Sequence, residues 1–239
     1  MKKLDFCFAT FCFGERYYNQ TNRFILDLEK CEFTPDLIIV TDNVEKILNK
    51  EFTKVFNINS FNTDYYKYAT NYYDFDFSVK RYSVNAAFNL GYNNIILVDT
   101  DVRVNYNRFN NDAIIESFEP NSILGPVTYN FSNQINTNSM LGVRLLEYEK
   151  YFNTIIDKEK LNYMPEDCIM YISIDEDKHV PFLKTWDECI KYKNSKPLLN
   201  IPAGNIDEMC FSALYNNISV NNNSNKSLNI IYPQHDKWY

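Results

Sequence analysis

The chain has 239 residues, of which 45% are hydrophobic, and this length and composition suit one α/β domain with a full core. Its formal net charge of −7 speaks against nucleic acid as a partner and provides no basic face for a membrane surface. The six cysteines form no Cys-x-x-Cys pair and accompany only two histidines, so we expect free thiols in a reducing compartment rather than a structural zinc site.

The beginning of the chain lacks the pattern of a secretion signal. Residues 1–5 carry charge around a very short apolar run, and no apolar run in the sequence is long enough to span a bilayer. We therefore expect no transmembrane segment and a cytoplasmic location in the producing cell. Tyr, Asn, Lys and Ile, whose codons are AT-rich, are frequent, which fits a virus or a low-GC bacterium as the source.

Strands and helices alternate through the first part of the sequence. Apolar runs and helical spacing predict buried strands at 6–13, 37–40 and 52–58, and helices at 20–31 and at 44–49. This β-α-β-α-β order is typical of a nucleotide-binding α/β sheet. The Asn-, Tyr- and Asp-rich residues 60–77 predict either a mobile active-site loop or a poorly packed connection.

A helix with two basic residues near its start is predicted next. Ser78 is a good N-cap residue for a helix that continues to Leu90 and is ended by Gly91. Lys80 and Arg81 would then lie in the first turn, where the helix dipole disfavours cations. Either they are solvated surface charges or a negative group compensates them.

Two aspartates follow the next apolar run. Residues 95–98 predict a buried strand of a mostly parallel sheet, and Asp99 and Asp101 come directly after it. In open α/β sheets, ligands bind just beyond the carboxyl ends of the strands. Two Asp at that edge can share a hard divalent cation, Mg²⁺ or Mn²⁺, which would also hold phosphate oxygens. The alternative is a strand-end turn that merely contains two acids.

The second half of the sequence is less regular. It predicts a short strand or turn at 122–127, helices at 141–152, 179–192 and 209–215, strands at 168–172 and 228–232, and loops at 129–138 and 216–227. No internal repeat or domain-sized linker is visible. The simplest account is one domain over 1–239, with a nucleotide-type half at 1–104 and a second half at 105–239.

A metal-bound aspartate pair in an acidic α/β protein indicates a diphosphate substrate. The cation would neutralise the diphosphate and stabilise it as a leaving group. Lys80, Arg81 or Lys237 could add positive charge to the same group.

Two rival enzyme classes fit the sequence less well. A nucleotidyltransferase of similar topology would have a Gly-rich basic loop where this chain has the sparse residues 14–16, and an Asp-x-Asp phosphatase would carry its aspartate pair after the first strand.

The apolar strand followed by Asp99-Thr100-Asp101 resembles the DxD motif of GT-A-fold glycosyltransferases. Segments 11–17, 37–43 and 78–82 resemble the first strand, the second strand and the Arg-bearing helix of the family that holds the blood-group A/B and α1,3-galactosyl transferases. The resemblance implies a single Rossmann-like GT-A domain with a mostly parallel central sheet flanked by helices. It also implies a Mn²⁺ or Mg²⁺ cofactor, a UDP-sugar donor and a glycan or other hydroxyl acceptor.

The resemblance and the residue types suggest roles for individual residues. Candidate donor-binding residues are Thr10, Phe11, Phe13, Tyr17, Lys80, Arg81, Asp99 and Lys237. Candidate acceptor-binding residues are Asp207, Glu166, Asp167 and Trp186. The alternatives for several of them are ordinary: Phe11 and Phe13 as core, Glu166 and Asp167 as a solvated loop, and Trp186 as helix packing.

Glu208 is the candidate catalytic residue, because segment 206–214 resembles the Asp-Glu helix start of the same family. There the Glu lies beneath the anomeric carbon as nucleophile or charge stabiliser; here it could instead be a first-turn acid, with Asp207 as the N-cap.

His235 resembles the third metal ligand of glycogenin-like retaining enzymes, with Lys237 at phosphate, although a lone His is often not a ligand. Both families retain anomeric configuration, so retention is predicted. A Gly-rich segment usual before the Asp-Glu helix is not clear, which leaves the acceptor open. A binding protein that has lost catalysis is a further alternative.

Overall fold

A computed structural model describes residues 5–61, 75–124, 140–156, 169–195, 210–215 and 231–233. The strands in these ranges are β1 (Phe6–Cys12), β2 (Asp36–Thr41), β3 (Thr53–Asn57), β4 (Asn94–Val98), β5 (Val102–Val104), β6 (Ser122–Leu124), β7 (Ile169–Ser173) and β8 (Ile231–Pro233). The helices are α1 (Glu15–Leu28), α2 (Phe75–Asn89), α3 (Asn111–Ile115), α4 (Met140–Phe152) and α5 (His179–Ser195), and residues 210–215 are also helical.

Six of the strands form one sheet in the order β3-β2-β1-β4-β7-β6. The neighbours β3, β2, β1 and β4 are parallel, and β7 runs antiparallel to both β4 and β6. The fold is therefore α/β with a mostly parallel sheet, as the sequence predicts. Strands from both sequence halves meet in this single sheet, because β4 pairs directly with β7.

Helices cover both faces of the sheet, and strand alternation divides the core into two layers. Cys7 and Ala9 of β1 face a layer that includes α2, α4 and α5, whereas Phe6 and Phe8 face a layer that includes α1. All seven residues of β1 are buried, which explains its continuous apolar sequence. In the described part of the chain, no helix combines the length and apolar character that crossing a bilayer requires.

Several predicted helix starts are wrong. α1 begins at Glu15 rather than near residue 20, directly after Gly14, whose φ of +89° suits a residue without a side chain. The predicted helix at 44–49 is only a short 3₁₀ turn at Val44–Lys46, where Asn43 provides no side-chain cap. α2 begins at Phe75, so Ser78 lies inside it and the two basic residues that follow are beyond its first turn.

A second, two-stranded sheet was not fully predicted. β5, which the sequence did not reveal, pairs antiparallel with β8, and Val102 lies opposite Pro233. Arg103 of β5 forms a bidentate ion pair with the buried carboxylate of Asp27 on α1. Residues 99–101, which we call the aspartate loop, join β4 to β5, so these contacts fix the chain directly after the loop.

Candidate active site at the carboxyl end of the central strands

Hydrogen bonds from two side chains fix the backbone that leads into the aspartate pair. Thr10 Oγ1 donates to the Val98 carbonyl oxygen at 2.8 Å, which joins β1 to the last residue of β4. Ser83 Oγ on α2 donates to the Thr10 carbonyl oxygen at 2.8 Å. Both bonds are buried, so they tie α2, β1 and β4 together just before Asp99. The predicted donor-binding residue Thr10 thus supports this edge through its side chain.

Lys80 lies one helical turn before Ser83 and points at the first aspartate. Its Nζ atom is 2.8 Å from Asp99 Oδ1, and the exposed fractions of the two side chains are 2% and 25%. The interpretation of Lys80 as a solvated surface charge is therefore wrong, and Asp99 is a negative group that pairs with it. Leaving either charge buried without the other would be costly.

Thr100 anchors the loop from its middle. Its Oγ1 donates to Gln20 Oε1 on α1 at 2.8 Å, and both residues are buried. With Thr100 turned into the protein, Asp99 and Asp101 both remain partly exposed. The sequence did not lead us to predict this role for Gln20. The signal that could have shown it is a polar residue on the otherwise apolar face of α1.

Arg81 does not join this cluster. Its Nε and Nη2 atoms donate to the two carboxylate oxygens of Asp187 at 2.8 and 2.9 Å, which links α2 to α5. Successive residues on a helix point about 100° apart, so Lys80 and Arg81 cannot face the same group. Arg81 therefore joins two helices. Of the two basic residues, Lys80 is the one that lies at the edge of the sheet.

The predicted aromatic residues lie at the end of β1. Phe11 is buried, and the Lys80 ammonium is 5.9 Å from its ring centroid. Phe13 is partly exposed, with its ring centroid 6.4 Å from that of Phe11. Tyr17, in the first turn of α1, is also partly exposed and carries the Arg16 guanidinium 5.9 Å from its ring centroid. Phe13 and Tyr17 are therefore less buried than Phe11.

A polar cluster marks the end of the neighbouring strand β2. Tyr18 Oη donates to Asp42 Oδ1 at 2.6 Å. Burial, together with this hydrogen bond, raises the pKa of Tyr18 to about 12. Burial also raises the pKa of the nearby Cys12 thiol to about 11, so this cysteine is not a nucleophile at neutral pH.

Trp186 is fully buried between Phe182 and Phe211 in the core. Its predicted contact with an acceptor is therefore wrong for this structure, and the packing alternative holds. Six other predicted site residues lie outside the described residues: Glu166, Asp167, Asp207, Glu208, His235 and Lys237. Their roles stay predictions.

Asp99 and Asp101 suit a divalent cation as a partial ligand set. Within the described ranges, no group of three His, Cys, Asp or Glu side chains could hold a metal ion. Two carboxylates are nevertheless enough where substrate phosphates and water complete the coordination, as is usual for Mg²⁺. β8 brings the chain alongside this loop, with Pro233 opposite Val102, and His235 follows two positions later in the sequence.

No protein-family model matches this chain, and no curated protein matches it significantly. Fold and site together define a Rossmann-like α/β protein with a carboxylate pair at the edge where such sheets bind ligands.

Proposed function

We propose that this protein is a metal-dependent glycosyltransferase. It transfers a sugar from a nucleoside diphosphate donor, a UDP-sugar in the first instance, to a glycan or other hydroxyl acceptor with retention of configuration. One observation carries the proposal: Asp99 and Asp101 follow the central strand β4 at the carboxyl edge of the sheet, and the buried Lys80 ammonium lies 2.8 Å from the first of them.

The charges at this edge support a diphosphate ligand. Asp99, Asp101 and Lys80 together carry one excess negative charge, which attracts a divalent cation. A bound Mn²⁺ or Mg²⁺ would make the cluster positive and would stabilise charge on a departing diphosphate. Lys80 contributes part of that positive charge from inside the protein, where it is less screened by water.

The neighbouring strand offers a place for the base of the nucleotide. β1 lies beside β4, and adjacent strands are about 5 Å apart. Phe13 directly follows β1 and Tyr17 lies in the first turn of α1, and both residues are partly exposed. This arrangement suits a ligand with a flat ring at one end and phosphates at the other.

The transfer step itself depends on residues whose roles remain proposals. Glu208 would stabilise positive charge at the anomeric carbon or form a covalent link to it, and the acceptor hydroxyl would attack from the face that the diphosphate leaves. His235 would complete the metal ligands, and Lys237 would contact phosphate.

The decisive experiment is a panel of nucleotide-sugars with Mn²⁺, scored by release of the nucleoside diphosphate. Asp99→Asn and Asp101→Asn should each lower the rate by at least about 100-fold, because the metal contributes several kcal/mol. Asp112→Asn, which removes one exposed charge from α3, is the matched control and should keep full activity. Glu208→Gln should lower transfer steeply but leave UDP binding nearly intact.

Two results would reject the proposal. One is that no nucleotide-sugar of the panel releases its diphosphate with Mn²⁺. The other is turnover that survives both aspartate substitutions. A thermal shift with UDP and Mn²⁺ that is never accompanied by turnover would instead identify a sugar-nucleotide-binding protein.

A further inference from the structure

We propose that Lys80 is a positioning residue that limits Asp99 to one oxygen for a bound cation and thereby sets the metal preference of the site. The inference rests on the proposed function in taking Asp99 and Asp101 as the metal pair. It adds a specificity-determining role for a residue that would not touch the metal.

The two carboxylate oxygens of Asp99 have different surroundings. Oδ1 is buried and has no aligned hydrogen-bond donor among the described residues, so the Lys80 ammonium at 2.8 Å is its counter-charge. Since a quarter of the side chain is exposed while Oδ1 is not, the accessible surface belongs to Oδ2 and Cβ. Oδ2 is therefore the oxygen that Asp99 can present to an ion at the sheet edge.

The ammonium is held where it is by its surroundings. Lys80 is on α2, which Ser83 ties to β1 through the Thr10 carbonyl oxygen. The Phe11 ring lies 5.9 Å from Nζ on the β1 side, a cation–π distance. The Lys80 side chain is only 2% exposed, so the charge cannot move into water without a change of the helix or of the strand edge.

This arrangement discriminates between cations by the number of oxygens they need. Mg²⁺ takes octahedral sites and Mn²⁺ shares its preference for oxygen ligands, and carboxylates can bind such ions through one oxygen. Ca²⁺ takes six to eight oxygens and often binds a carboxylate through both. Because Lys80 occupies Oδ1, Asp99 cannot act as a two-oxygen ligand. The wild-type site should therefore disfavour Ca²⁺ relative to Mn²⁺.

The test compares dissociation constants for Mn²⁺ and Ca²⁺, each added alone and measured by calorimetry. Lys80→Met removes the ammonium, and we expect it to improve Ca²⁺ binding relative to Mn²⁺ by about fivefold or more, because Asp99 gains a second oxygen. Lys80→Arg keeps the charge and should keep a ratio close to that of the wild type. Arg81→Met is the matched control: it removes the adjacent charge, which pairs with Asp187, and should change both constants equally.

A second measurement covers the case in which Lys80→Met does not fold. Infrared difference spectra of the wild type against Asp99→Asn should show the carboxylate stretching bands of one-oxygen coordination with both ions. Bands of two-oxygen coordination with Ca²⁺ would overturn the inference, as would a Lys80→Met protein with an unchanged ratio. A wild type that binds neither ion, whether alone or together with UDP, would refute the proposed function; one that binds Mn²⁺ but fails either test refutes only the role of Lys80.

Discussion

A double-mutant cycle on Lys80 and Asp99 tests whether the central ion pair is as buried as the structure indicates. At 2.8 Å, two unit charges attract by about 6 kcal/mol at an effective dielectric constant of about 20 and by about 1.5 kcal/mol in bulk water. Asp99 retains a quarter of its exposure, so solvent screening places the coupling between these limits, at about 2 to 3 kcal/mol. The single variants are Lys80→Met and Asp99→Asn, and the double variant carries both.

The assay is urea unfolding at neutral pH in buffer with a chelator, so that no metal contributes. Asp99→Asn should lower the free energy of unfolding more than Lys80→Met does, because it removes an ion-pair partner from the more deeply buried of the two charges. The exposed pair Lys50–Glu29, at 2.7 Å, is the matched control, and its cycle should give less than about 1 kcal/mol. A coupling for Lys80 and Asp99 no larger than in the control would refute the reasoning.

Three further predictions concern the surroundings of the site. Thr100→Val should lower the free energy of unfolding by about 1 to 3 kcal/mol, because it leaves Gln20 Oε1 buried without its donor; urea unfolding measures this. In a Cys168→Ser variant, Ellman's reagent should label none of the five remaining thiols, which are all buried, until denaturant is added. Tyr18→Phe should cost about 1 kcal/mol at neutral pH through loss of the hydrogen bond to Asp42.

The Tyr18 contribution has a defined pH dependence. Because the folded state raises its pKa from 10.0 to about 12, the stabilisation is fully present below pH 10 and is lost as the pH rises towards 12. The difference in stability between wild type and Tyr18→Phe should therefore shrink across that window. A difference that is constant or grows would contradict the assignment. A Thr100→Val variant with an unchanged free energy of unfolding would show that the bond between Thr100 and Gln20 does not stabilise the loop. Rapid labelling of a thiol in the native Cys168→Ser variant would show that this cysteine is accessible to solvent.

The strands were the most predictable part of this protein. β1, β2 and β4 are buried on both faces, so each is a continuous apolar run that the sequence displays directly. Helix starts were less predictable, because α1 begins with polar residues and no side chain caps it, while its first turn hydrogen-bonds to the carbonyl of Gly14. Local sequence signals therefore marked where this helix is buried rather than where it begins.

The candidate site was predictable in position and less so in detail. The Asp99-x-Asp101 pattern after an apolar run located the edge of the sheet without any tertiary information. The partner of Lys80 could not be predicted, because two adjacent basic residues on a helix look alike in sequence, and only packing decides that one faces Asp99 and the other Asp187. β5 was missed because its partner strand β8 is distant in sequence.

The pairing of β5 with β8 has a consequence for the order in which the protein assembles during synthesis. β1 to β4 can associate early, but β5 cannot pair with β8 until residue 233 has been made. Contacts between such distant segments form slowly, since the intervening chain must be closed first. A ribosome-bound chain would thus have the four parallel strands of its sheet, and the contacts of Thr100 and Arg103 with α1, before the pairing of β5 with β8 can complete the support of the aspartate loop.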